Sequence, residues 1–120
     1  MGTLKIAPEY GCFPTWIVGS EGFFENIDPA RLQISDTLRR HLSQFQERYD
    51  QTLNQEYPPE SGFSSEKEAI EFEHLGITMW QRLFNEVGNL YEINYYSVFE
   101  HTLYTDIQHY RDVISNKTDK

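Results

Sequence analysis

The apolar positions of this chain follow a two-residue period in some stretches and a helical period in others. Leu4 to Ala7 is a short apolar run that reads as a strand. Gly11 and Pro14 break the chain around Cys12 and Phe13. Thr15 to Val18 reads as a second strand, because Trp, Ile and Val pack well on a pleated surface. Gly19-Ser20-Glu21-Gly22 reads as a turn. Phe23, Phe24 and Ile27 then predict a third strand, in a hairpin with the second.

Asp28-Pro29 pairs a capping residue with one suited to the first helical position, which predicts a short helical turn over Asp28 to Leu32. Ser35-Asp36 opens a longer helix. Its stripe is Leu38, Leu42, Phe45, Tyr49 and Leu53, and Arg39, Arg40, Gln44, Glu47 and Arg48 lie opposite. Tyr57-Pro58-Pro59 must end it, since proline cannot continue a helix. Glu56 to Phe63 reads as a loop stiffened by its prolines and anchored by Tyr57 and Phe63.

Ser65-Glu66-Lys67-Glu68 has the form of a capping box and starts a second helix. Phe72, Leu75, Met79, Trp80, Leu83, Phe84 and Val87 give it a broad apolar face, and Gly88 is placed for a left-handed end. Leu90 to Phe99 reads as a strand with both faces apolar or aromatic, hence one inside a sheet. Leu103, Ile107, Tyr110 and Ile114 recur at helical spacing and predict a final helix, followed by a frayed polar tail over 115–120. The fold class expected is α+β: a small, largely antiparallel sheet with two amphipathic helices packed on one face. The whole of 1–120 is expected to be one domain.

Composition narrows the partners more than the fold. Aromatic residues make up 15% of the chain, which argues against disorder. Acids number 19 against 10 lysines and arginines, a formal net charge of -9. Such a charge repels nucleic acid and anionic membrane and attracts cationic surfaces; it also serves solubility alone. Direct nucleic-acid binding is therefore not expected. Cys12 is the single cysteine, so no internal disulfide can form, which suits a reducing cytosol. Met1 to Tyr10 has no apolar run of the kind a signal peptide needs, and no stretch reaches the length of a membrane span.

Catalytic chemistry is weakly represented. Glu71 and His74 share one helix face, as in carboxylate-bridged metal bundles, but the other helix offers only His41 and Glu47 and no matching pair. The stretch Glu71-Phe72-Glu73-His74 is therefore read as a solvated face opposite Phe72 and Leu75. Cys12 is read as a small hydrophobe rather than a nucleophile. His101 and His109 are too far apart along a helix for one metal. No nucleophile elbow, phosphate loop or dinucleotide glycine pattern is present. No catalytic set, metal or cofactor is expected.

Four segments carry a resemblance: Glu9-Tyr10-Gly11-Cys12-Phe13-Pro14-Thr15-Trp16, Asn26-Ile27-Asp28-Pro29, Tyr49-Asp50-Gln51-Thr52-Leu53-Asn54 and Pro59-Glu60-Ser61-Gly62-Phe63. In this order and spacing the chain resembles small acidic bacterial immunity proteins of polymorphic toxin systems, including contact-dependent growth inhibition. The resemblance runs to about Leu90, and the stretch after Tyr95 carries none of it. It implies cytosolic neutralisation of a cognate toxin domain, often a nuclease with a basic cleft. It transfers no contact residue.

Contact residues follow from physical reasoning alone. Interface centres favour aromatic residues, and acids would pair with a basic cleft. The loop Glu56, Tyr57 and Glu60 is one candidate, and the acidic cluster Glu21, Glu25 and Asp28 is another. The competing reading packs Tyr57 on the helices and leaves the acids facing water. Two other functions remain open at this point: a small metal-binding or hydrolytic enzyme using Glu71, His74 and His41, and an acidic DNA-mimic regulator of an endogenous protein.

Overall fold

The computed structural model describes residues 2–18 and 22–118. The turn expected over Gly19 to Gly22 and the candidate Glu21 fall at or within the stretch outside these. β1 (Gly2–Ile6), β2 (Thr15–Val18) and β3 (Phe24–Ile27) form an antiparallel meander. Asp28 then caps a 3₁₀ turn over Pro29–Arg31, its Oδ1 accepting from Ala30 N at 2.9 Å. Two helices follow, α1 (Asp36–Asp50) and α2 (Glu66–Val87), then β4 (Tyr91–Ser97), β5 (Thr102–Tyr104) and α3 (Ile107–Thr118). The sheet order is β3-β2-β1-β4-β5, with β1 and β4 parallel and every other neighbour antiparallel. The fold is α+β, as the sequence predicts, and β4 lies inside the sheet.

Register decides which side chains face the helices. Leu4 stands opposite Ile17 and Ile93, and Ile6 opposite Thr15 and Tyr95. These face one buried cluster that includes Leu38, Leu42, Phe45, Phe72, Trp80, Leu83, Tyr110 and Ile114 from the three helices. The alternate residues Lys5, Trp16, Phe24, Tyr96 and Leu103 face the other way. Lys5 Nζ lies over the rings of Phe24, at 4.3 Å from the centroid, and Trp16, at 5.5 Å.

Local chemistry sets the helix ends. Ser35 Oγ accepts from Leu38 N, and the Glu86 carboxylate accepts from both Ser35 N and Ser35 Oγ. That contact ties the start of α1 to the last turn of α2. Ser65 Oγ accepts from Glu68 N at 3.1 Å, as the capping box requires. The Glu68 carboxylate, however, reaches Ser64 N and Ser64 Oγ rather than Ser65 N. Those bonds hold its pKa below the ordinary value. Ser65→Ala should lower stability by about 1 kcal/mol, read from the midpoint of urea unfolding at unchanged slope.

Several expectations are corrected. α1 stops at Asp50, short of Leu53, because Thr52 Oγ1 donates to Tyr49 O and diverts the chain into turns. Gly88 is right-handed, with φ -64, so no left-handed cap forms; its N–H simply donates to Phe84 O. Leu103 lies on β5, not on a helix. Ser97 Oγ accepts from Glu100 N, and His101 takes a left-handed φ of 54, so the chain folds back as a hairpin. The last helix continues through 115–118, where the sequence predicts a frayed tail.

The core face of α2 is also rotated from the one expected. Leu75 and Phe84 are exposed, while Glu73, Gly76 and Ile77 are buried. The cause is α3. Its Tyr110 packs on that side of α2 and hydrogen-bonds Glu73, so the buried arc extends to cover it.

Candidate functional site

One end of the molecule is built by three connections: the turn after β1, the α1–α2 loop and the β4–β5 hairpin. Together they border a groove of about 700 Å3. Tyr10 and Tyr49 stack at 4.5 Å on one wall, and Tyr10 Oη shares a 2.6 Å hydrogen bond with Thr52 Oγ1. Phe63 comes from the α1–α2 loop, and Tyr96, Phe99 and His101 from the hairpin side. Burial pushes the Tyr49 hydroxyl pKa up to about 12, helped by neighbouring Tyr10 and the nearby Glu9 and Asp50 carboxylates. Among the described residues the lining contains the carboxylates of Glu9 and Glu66 and no lysine or arginine.

The α1–α2 loop is held by its own polar groups. Asn54 Oδ1 accepts from Glu56 N at 3.1 Å and Tyr57 N at 2.9 Å. Ser61 Oγ accepts from Asn54 N at 2.7 Å, and Gly62 N donates to Thr52 O. A 3₁₀ turn over Pro58–Glu60 completes it. The loop therefore presents Glu56, Tyr57 and Glu60 from an ordered frame, with all three side chains exposed. Tyr57 keeps 57% of its surface exposed. Pro58, Ser61 and Gly62 of the same loop line the groove, so the three candidates stand at its border.

The second cluster is not brought together in the same way. Glu25 is exposed on edge strand β3, opposite Ile17. Asp28 is half-buried and occupied in capping the 3₁₀ turn. Glu21 lies outside the described residues. Sequence reading missed Glu9, Tyr10, Glu66, Tyr96, Phe99 and His101, which come from separate segments that only the tertiary fold assembles. The one signal available was Tyr49, placed in the core stripe of α1 although it carries a hydroxyl that needs a polar neighbour.

The stretch read as a solvated face, Glu71 to His74, holds the largest departure. Glu71 and His74 are exposed, but Glu73 is fully buried. Tyr110 Oη donates to Glu73 Oε1 at 2.5 Å and Tyr95 Oη to Oε2 at 3.2 Å, and Ser97 Oγ lies 2.8 Å from Tyr110 Oη. Burial raises the Glu73 pKa above its ordinary value, against the hydrogen bonds from Tyr110, Ser97 and Tyr95 that pull it down. Burial and the Glu73 charge raise the Tyr95 and Tyr110 pKa values as well. The site is enclosed by packed side chains, so it braces α3 against α2 and β4 and offers a substrate no entry. His41 Nδ1 contacts the Arg82 guanidinium. Among the described residues no group of three or more His, Cys, Asp or Glu is placed to hold a metal ion, and no helix is long and apolar enough to cross a membrane.

This end of the molecule is thus an aromatic groove with acids along it and beside it. A family model described as Serratia CdiI immunity protein-like matches residues 2–98. No curated protein matches the chain.

Proposed function

The chain belongs to the Serratia CdiI immunity protein-like family, and from that premise we propose that it binds and neutralises a cognate toxin domain in the cytosol, by occupying that domain rather than by catalysis. The observation that carries the reading is the groove end of the molecule. It joins stacked aromatic rings to carboxylates, has no lysine or arginine among the described residues of its lining, and borders the ordered loop of Glu56, Tyr57 and Glu60. Rings supply buried contact area, and the acids steer a basic surface towards it. A nuclease has such a surface where it holds phosphate, so the proposed toxin is a nuclease with its basic cleft facing this groove.

The test is direct. The chain should co-purify with the toxic C-terminal domain encoded immediately upstream, and should protect cells that express it. Neither binding nor protection would end the proposal. The combined variant Glu56→Gln/Tyr57→Ala/Glu60→Gln should weaken the complex by about 2 kcal/mol or more, measured by calorimetry. The two acids should act mainly on the association rate, which should also fall as salt is raised.

A further inference from the structure

A second groove, of about 430 Å3, runs between α1 and α2 and has the opposite chemistry. Its floor is apolar: Phe45 and Met79 are 3% and 5% exposed. Leu75, an apolar side chain on α2, stands at the lip with 41% of its surface open. Arg48 enters from α1 and Arg82 from α2, and the Arg82 guanidinium hydrogen-bonds His41 Nδ1. Among the described residues no carboxylate lines the groove, in a chain with 19 acids and 10 lysines and arginines. Among the described residues no carboxylate lies within ion-pair distance of Arg48 or Arg82. Glu68 feels the field of Arg48 from a neighbouring pocket, and its Oε2 accepts from Ser64 N and Ser64 Oγ.

We propose that this groove binds an acidic, apolar segment of a protein partner. An apolar side chain of the segment would cover Phe45, Met79 and Leu75, and flanking carboxylates would meet the two guanidiniums. Guanidinium presents a planar fork of donors that matches a carboxylate, and one such fork stands on each helix across an apolar floor. A uniformly basic ligand is repelled here, so this surface selects against the chemistry that the other groove attracts. The inference stands on the α1–α2 groove alone and does not require the partner to be a toxin.

The experiment uses the full chain and two capped tetrapeptides: leucine-phenylalanine flanked by glutamates, and the same pair flanked by glutamines. Backbone amide shifts are followed during titration. The acidic peptide should move the amides of 41–48 and 75–82 and bind about tenfold tighter than the glutamine peptide, since its bonds to arginine are charged. The double variant Arg48→Gln/Arg82→Gln should bind both peptides alike. Shifts centred elsewhere, equal binding by the unaltered chain, or a preference kept by the variant would each overturn the proposal. Sedimentation of the chain alone should not change with concentration. Self-association abolished by the double variant would assign the groove to a second copy and overturn it too.

Discussion

Gly76→Ala should destabilise the protein by about 3 kcal/mol or more, although the same change inside an ordinary helix is stabilising by about 1 kcal/mol. The reason is a close approach. A Cβ on Gly76 would fall 2.5 Å from Cε2 and Cζ of Tyr95. Tyr95 has no free direction in which to give way. It is fully buried, stacked between Trp80 at 5.7 Å and Tyr110 at 5.6 Å, and hydrogen-bonded to Glu73. A shift of its ring disturbs α2, β4 and α3 together. Urea unfolding would show a lower midpoint with little change in slope. A variant more stable than the parent would mean that the helix and strand are not packed this closely.

Glu73 gives the second large effect, and its sign depends on pH. Burial raises its folded-state pKa, so the folded chain holds the proton more tightly than the unfolded chain does. Its stabilising contribution is complete below the unfolded carboxylate value of about 4.3 and is lost as pH rises through the raised folded value. Glu73→Gln keeps an acceptor for the Tyr110 hydroxyl and removes the titration. The stability of Glu73→Gln minus that of the parent should therefore move in the variant's favour as pH rises from about 4 to about 8. A difference that stays flat across that range would exclude a raised pKa. Glu73→Ala is a different case. It leaves the Tyr95 and Tyr110 hydroxyls without their acceptor beside a void, and should cost about 2–4 kcal/mol.

These two sites mark where reading the sequence stopped short. Strands at Thr15 to Val18 and Phe24 to Ile27, both helix starts and the central strand were legible, because capping residues and apolar period act locally. Glu73 was not legible. A carboxylate between Phe72 and His74 looks solvated, and it becomes buried only because Tyr110, on a helix far along the chain, arrives as its donor. Leu103 fits a helical stripe with Ile107 and Tyr110, but the open edge of β4 captured it. Tertiary pairing overrode local period in both places. Of the candidate contacts, the loop Glu56, Tyr57 and Glu60 was recognisable from its prolines and charge. The aromatic groove beside it comes from segments that share no sequence signal.

The parallel pairing of β1 with β4 has a consequence for the order of assembly. One edge of β1 pairs with β2, but the other edge of Gly2 to Ile6 finds its partner in Tyr91 to Tyr95, with both long helices made in between. During synthesis the first three strands leave the ribosome early, yet one edge of β1 stays bare and Leu4 and Ile6 lack most of their cover until β4 appears. Closing that long loop must be rewarded by contacts that form late, which slows folding relative to a chain of local hairpins. Until then the nascent meander is a sticky edge, and the last strands to be made are the ones that shield the first.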